Sequence, residues 1–220
     1  MKPAWLPCRE LRDLLLPAFQ PCAGFGATCT KMRWKPEAGH VPRGFCGATG
    51  ALAEVELVLV VAEPGNPHSG EVYAGDSAEE LLDGACRNAY ECFAHGTDPF
   101  HRNVRGILSA CWPTLSFGDQ LRRAWITESV LCSAREECGR VPSEAYRTCA
   151  DLYLAGQLEL LPDAVVVALG GKAHHRMKKL GREYLCAGAV APPGCNQRRV
   201  RESWKAIPIA VHERANAATR

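Results

Sequence analysis

Along the chain, short apolar blocks of strand length alternate with longer stretches in which apolar residues recur every three or four positions. Residues 55–61, 125–131 and 164–169 are the blocks of the first kind, bounded by turn residues or by polar helix starts, and they predict buried strands. Residues 206–211 predict a fourth strand that ends at His212. Helical spacing at Leu11, Leu14, Leu15 and Phe19 predicts an amphipathic helix over residues 1–20, and a Cys/Gly/Pro-rich irregular segment follows to about Gly50. Further helices are expected over residues 77–94 and from Val104 to Ala110. Another should span 142–160, opened by Pro142-Ser143-Glu144, and a basic one should begin at Gly171.

Strands separated by helices imply an α/β fold: one mainly parallel, four-stranded central sheet with helices on both faces. A chain of 220 residues, 47% of them hydrophobic, is long enough for one sizeable core, so a single domain over 1–220 is expected, with the helix and Cys-rich segment of 1–50 packed on it. In open parallel sheets ligands gather beyond the carboxyl ends of the strands. Glu63, Glu128 and His212 stand at those ends and are expected to converge.

The longest apolar runs fall far short of the roughly 20 residues a bilayer requires, and no basic leader precedes an apolar stretch. A soluble, cytoplasmic, membrane-free protein is expected, and nothing demands more than a monomer. Twelve cysteines in a reducing compartment favour metal ligation over disulfides. Cys86, Cys92, Cys111, Cys186 and Cys195 read as small buried hydrophobes.

The formal charge of +2 conceals an asymmetry. From Gly171 onward there are eleven Lys/Arg against three Asp/Glu, a local +8 that leaves −6 for the rest. Lys172, Arg176, Lys178, Lys179 and Arg182 fit a solvated helix face as well as an anion-binding one. Arg198, Arg199 and Arg201 beside Trp204 suit a phosphate backbone better.

Several segments together resemble the uracil-DNA glycosylase superfamily, most closely its iron–sulfur branch, called family four. They are Val61-Ala62-Glu63-Pro64-Gly65, Pro99-Phe100, Ile126-Thr127-Glu128-Ser129-Val130-Leu131-Cys132, the strand 165–169 with its Leu-Gly end, and Pro208-Ile209-Ala210-Val211-His212-Glu213. The resemblance covers about residues 22–216, and the block 132–170 is its most specific part. It implies a monofunctional DNA glycosylase of base excision repair that flips a deaminated base, uracil first, and hydrolyses its N-glycosidic bond with water. A weak lesion- or nucleotide-binding member of the same fold, or a glycosylase for hypoxanthine or xanthine, is the alternative.

By that resemblance Glu63 is the catalytic carboxylate, one place later than in family four and at the place before proline that the classical enzymes use. His212 donates to the leaving base, Phe100 stacks on it, and Gly65 lies in the turn that approaches it. Asn103 is a polar reader. Glu128 stands where the family has Asn; an ionised Glu accepts the base N–H but cannot donate to a carbonyl, so either it is protonated, or another donor serves, or the base differs. Arg214 and Asn216 fill the gap left by the flipped base, while Lys172, Arg198, Arg199 and Arg201 contact DNA. The Cys132 to Cys149 spacing matches the branch's ligand pair for a [4Fe–4S] cluster, and Cys22 and Cys29 complete the set, with Cys8, Cys46 and Cys138 as substitutes and zinc or no metal as alternatives.

Overall fold

The computed structural model describes residues 4–218. Five strands form its sheet: β1 (Cys46–Gly47), β2 (Leu57–Val61), β3 (Ala124–Glu128), β4 (Val165–Leu169) and β5 (Leu185–Ala187). Their spatial order is β1-β3-β2-β4-β5; only β1 runs antiparallel to its neighbour. The α/β class and the mainly parallel sheet stand. The sheet has five strands, however, and two of them, β1 and β5, are too short to register as apolar blocks.

Strand alternation sends Val58, Val60, Trp125, Val166 and Ala168 to one face and Leu57, Leu59, Ile126, Val167 and Leu169 to the other. Both sets are buried, which explains why these strands read as continuous apolar blocks. The helices that cover them are α1 (Arg9–Leu15), α2 (Ala78–His95), α3 (Pro99–Cys111), α4 (Phe117–Arg123), α5 (Ser143–Cys149), α6 (Ala155–Glu159), α7 (Gly171–Met177), α8 (Arg198–Ser203) and α9 (Ala206–Ala218). A π-turn at Ala150–Leu154 joins α5 to α6 without a break in the helical path. Helix α2 starts at a capping box in which the Ser77 hydroxyl accepts from the Glu80 amide and the Glu80 carboxylate accepts from the Ser77 amide. The helix expected over residues 1–20 is shorter: α1 runs on into a 3₁₀ turn at Leu16–Phe19, and the first three residues lie outside the described part.

The fourth predicted strand is a helix. Within α9, Ile207 and Val211 are buried while Ile209 is 56% exposed, a spacing of four where a strand would bury all three. Pro208 sits in the first turn, where its missing N–H costs no helical hydrogen bond.

Trp125 anchors the core from the middle of the sheet. Its ring packs against Phe45, and its indole N–H donates to Gln157 Oε1 at 2.9 Å, so the one polar atom of the side chain is satisfied. Gly47, with φ +106°, brings β1 so close to β3 that a Cβ would lie 2.1 Å from the Ala124 carbonyl oxygen. Among the described residues no helix is long and apolar enough to cross a membrane.

Candidate functional site

The chain goes on from β2 to its neighbour β3 on one side and from β4 to its neighbour β5 on the other, so a crevice opens between the carboxyl ends of β2 and β4. A cleft of about 840 Å³ occupies it. Its walls come from the turn after β2, the start of α3, the end of β3, the loop 137–138 and the loop 189–194 that follows β5. Glu63, Gly65, Phe100, Glu128 and Lys172 all line it.

Glu63 stands two residues beyond the end of β2, and its side chain is only 5% exposed. Arg176 donates to Oε2 at 2.6 Å, and Lys172 donates to Oε1. Both cations come from α7, where a spacing of four residues places them one turn apart on the same face. Arg176 is itself buried and also donates to the Ala62 carbonyl and the Ser129 hydroxyl. Lys172 donates further to the carbonyls of Cys138 and Gly139. A carboxylate has about four acceptor positions, so two remain for a ligand or a water.

Glu128 ends β3 and is 4% exposed. Burial, reinforced by the nearby charge of Glu63, raises its carboxyl well above the usual carboxylate range, although Arg176 and Arg43 pull the other way. Oε2 is buried without a hydrogen-bond partner. Gly44, with φ +87°, makes room for this side chain: a Cβ there would stand 2.6 Å from Oε1. Glu63 and Glu128 therefore differ, one ion-paired with two cations and the other in surroundings that favour its neutral form.

A consequence is measurable. With its carboxyl raised by burial, the native state keeps the Glu128 proton to higher pH than the unfolded chain, which releases it at an ordinary carboxylate pKa. This group's contribution to stability is thus whole below that pKa and is lost as pH rises toward the raised native value. Glu128→Gln should match the wild type near pH 4.5 and become progressively more stable than it toward pH 8, by up to about 1.4 kcal/mol per pH unit while the difference lasts. Denaturant unfolding of both proteins across that range measures this, and a constant difference between them would contradict it.

Other expected site residues are placed differently. His212 lies on α9, exposed, and donates through Nε2 to the Cys111 carbonyl at 2.9 Å. Arg214 on the same helix donates to the Asp163 carbonyl, just ahead of β4. Both therefore sit at the amino ends of the strands, across the sheet from the cleft, and Asn216 belongs to the same helix. The expected convergence of His212 with Glu63 and Glu128 is corrected for the reason that turned strand 206–211 into a helix. The wall expected from that segment is supplied instead by the loop after β5, with Ala189, Val190 and Pro192. Asn103 donates its amide to the Val190 carbonyl at 2.8 Å, so it ties α3 to this loop instead of reading a ligand.

Phe100 is half-buried, with its ring 5.7 Å from that of Phe93, and lines the cleft. Arg198, Arg199 and Arg201 are exposed on α8, immediately beyond the loop that forms the wall. Their local partners are Glu202, Gln197 and the Cys195 carbonyl. Arg43 is the residue the sequence concealed. Buried in the irregular N-terminal segment, it donates to the Gly65 carbonyl and the Ser133 hydroxyl and pairs with the buried Glu71 at 3.1 Å, which fixes the turn carrying Glu63.

A second, small cavity is lined by all four chosen cysteines: Cys22, Cys29, Cys132 and Cys149. Residues 31–33 pair with 133–135 through the Arg33 and Arg135 amides, and this short ladder carries the N-terminal loop to the end of β3. Thr28 donates to Thr148 at 2.9 Å and fastens the loop to α5. The Leu131 amide points at Cys149 Sγ at 3.4 Å. Burial and then the neighbouring thiols push Cys132 well above its ordinary value; burial takes Cys149 to about 12. No three of these sulfurs lie within 4.8 Å of one another. Around one tetrahedral zinc, Zn–S bonds of about 2.3 Å would hold them about 3.8 Å apart. Cys46 lies in β1, Cys138 is exposed on the cleft wall and Cys8 caps α1, all apart from this cavity. Cys86, Cys92, Cys111 and Cys195 are buried as expected, whereas Cys186 is exposed.

No protein-family model and no curated protein matches this chain.

Proposed function

We propose that the chain is a monofunctional DNA glycosylase that binds a flipped, deaminated base in the cleft and hydrolyses its N-glycosidic bond. The observation that carries this reading is the pair of unlike carboxyl groups, Glu63 and Glu128, at the base of one cleft beside the Phe100 ring. Loss of a base from deoxyribose builds positive charge on the sugar and negative charge on the base. A fixed carboxylate answers the first and a neutral hydrogen-bond donor the second.

In this mechanism Phe100 stacks on the extruded base. Glu128, neutral, presents an O–H that donates to a base carbonyl and a C=O that accepts from the adjacent ring N–H, the same donor and acceptor pair as an amide. Its O–H also meets the charge that develops on the departing base, the role the resemblance gave to His212. Glu63 stabilises the sugar cation and orients the attacking water through its remaining acceptor positions, while Lys172 and Arg176 hold it at the turn. Arg198, Arg199 and Arg201 meet backbone phosphates beside the cleft, which makes affinity fall with salt. Cys22, Cys29, Cys132 and Cys149 would hold a [4Fe–4S] cluster, which supplies a cross-link between the N-terminal segment and the sheet and takes no part in the hydrolysis.

The test is an excision assay. The expected outcome is alkali-labile cleavage of end-labelled duplexes carrying uracil and none of undamaged duplex. Cleavage at hypoxanthine or xanthine instead would make Glu128 the residue that selects a purine. One observation favours a second reading, a lesion- or nucleotide-binding member with little turnover: no histidine from the expected motif reaches the cleft. Retained affinity for a uracil duplex with no cleavage by folded, iron-loaded protein would establish that reading and remove the first.

A further inference from the structure

The cleft lining also carries a group that the glycosylase reading does not use. His68 stands in the turn after β2, Asp98 caps α3, and His101 lies in the first turn of that helix. One ligand-type atom from each falls within 4.8 Å of the other two. His68 Nε2 is 3.6 Å from Asp98 Oδ2, and His101 Nδ1 is 3.0 Å from Asp98 Oδ1. Metal bonds of about 2.1 Å place neighbouring ligand atoms about 3.0 Å apart at right angles and about 3.4 Å apart in a tetrahedron. The shorter separation matches the first edge and the longer lies slightly beyond the second, with one histidine at each oxygen of the Asp98 carboxylate.

Two details show that these side chains are not simply satisfied by one another. Nδ1 of His101 is buried and makes no hydrogen bond, despite its closeness to the carboxylate, so its sp² direction is not aligned with Asp98. Asp98 Oδ1 accepts from the His101 amide at 3.0 Å, which fixes the carboxylate and leaves Oδ2 toward His68. The His101 ring is wedged edge-on between Phe93 and Phe100, with centroids 4.6 and 5.0 Å away. Packing thus locks the imidazole in place before anything binds.

We infer that His68, Asp98 and His101 form a binding site for a first-row divalent cation on the wall of the cleft. Two imidazoles and one carboxylate suit zinc, iron(II), cobalt or manganese better than calcium or magnesium, which favour all-oxygen shells. Three protein ligands leave coordination positions open, and all three residues line the cleft, so the open positions take an anionic oxygen of whatever occupies it, such as a phosphate. The inference stands apart from the glycosylase reading: it concerns different residues and requires no turnover.

Cobalt(II) titration of the full chain, followed by visible absorption, tests it, because nitrogen and oxygen ligation gives weak ligand-field bands while thiolate ligation at the cysteine cavity gives intense charge-transfer bands. The expected result is a ligand-field spectrum that saturates at one equivalent. Removing a direct ligand should weaken binding by no less than the roughly 10–100-fold that losing an outer partner costs. His68→Ala alters an exposed side chain, and Asp98→Asn keeps the helix cap, so both variants should fold. Wild-type protein without the ligand-field spectrum, or either folded variant binding as tightly as wild type, would overturn the site.

Discussion

Glu63→Gln should abolish most base excision, lowering the single-turnover rate by about 10²–10³-fold, the scale of losing one preorganised electrostatic contact in a water-poor site. Gln matches Glu in shape and still accepts from Arg176, so the cleft keeps its outline while its fixed charge disappears. The two cations of α7 then lose their counter-charge. Breaking a buried pair can cost about 3–5 kcal/mol, but Lys172 is 41% exposed and solvent screens it, so the effect on folding should fall below that range. Denaturant unfolding must accompany the kinetics for this reason. Glu63→Asp keeps the charge and should recover part of the rate, a recovery that a merely structural role would not show. His212→Ala, at the opposite end of the strands from the cleft, should change the rate by less than about twofold, since its ring donates to the Cys111 carbonyl there. A Glu63→Gln protein that excises at the wild-type rate would remove this carboxylate from the chemistry.

The second large effect is expected at the cysteine cavity. Wild-type protein purified without oxygen should be yellow-brown and carry about four irons and four labile sulfides per chain. Cys149→Ser should lose that colour and at least about 3 kcal/mol of stability, because the N-terminal loop is then no longer joined to α5 and β3 through the cluster. For a domain of this size that corresponds to roughly 6–12 °C in Tm. Cys138→Ser, at an exposed thiol outside the cavity, should leave both colour and Tm unchanged. A colourless wild-type protein that binds one zinc, with Cys149→Ser abolishing the binding, would replace the cluster with a mononuclear site and require the sulfurs to close in.

Much of the fold was legible because each buried strand repeats one local signal. Residues 57–61 and 165–169 are apolar on both faces, as are 124–126 before the polar Thr127 and Glu128, so local composition finds all three strands. The helix expected over 77–94 forms as α2, and the structure shows its start fixed by a reciprocal cap between Ser77 and Glu80. The segment 206–211 was misread because Ile-Pro-Ile-Ala-Val satisfies a strand pattern and a buried helix pattern equally over six residues; only the exposure of Ile209 separates them, and that depends on what packs against it.

At the cleft, Glu63 and Glu128 were singled out by their places at strand ends, and Gly65 and Phe100 by the resemblance of their segments to the glycosylase motifs; all four line it. Arg176 left a usable trace, one helical turn after Lys172. Arg43 left none, because its function consists of contacts with Gly65, Glu71 and Ser133, and no local rule links an arginine in an irregular segment to a turn more than twenty residues away. His68 and His101 were likewise separate histidines until the turn after β2 folded over the start of α3.

The sequence by itself determined which segments are buried, that the sheet is mainly parallel, and that carboxyl groups and cysteines occupy the ends of its elements, since these follow from local periodicity and residue chemistry. Tertiary structure alone decided that Glu63 pairs with α7, that burial favours the neutral form of Glu128 and leaves its Oε2 without a partner, and that His212 faces away. Those outcomes depend on burial and on the field of residues distant along the chain, and neither exists until the sheet has assembled.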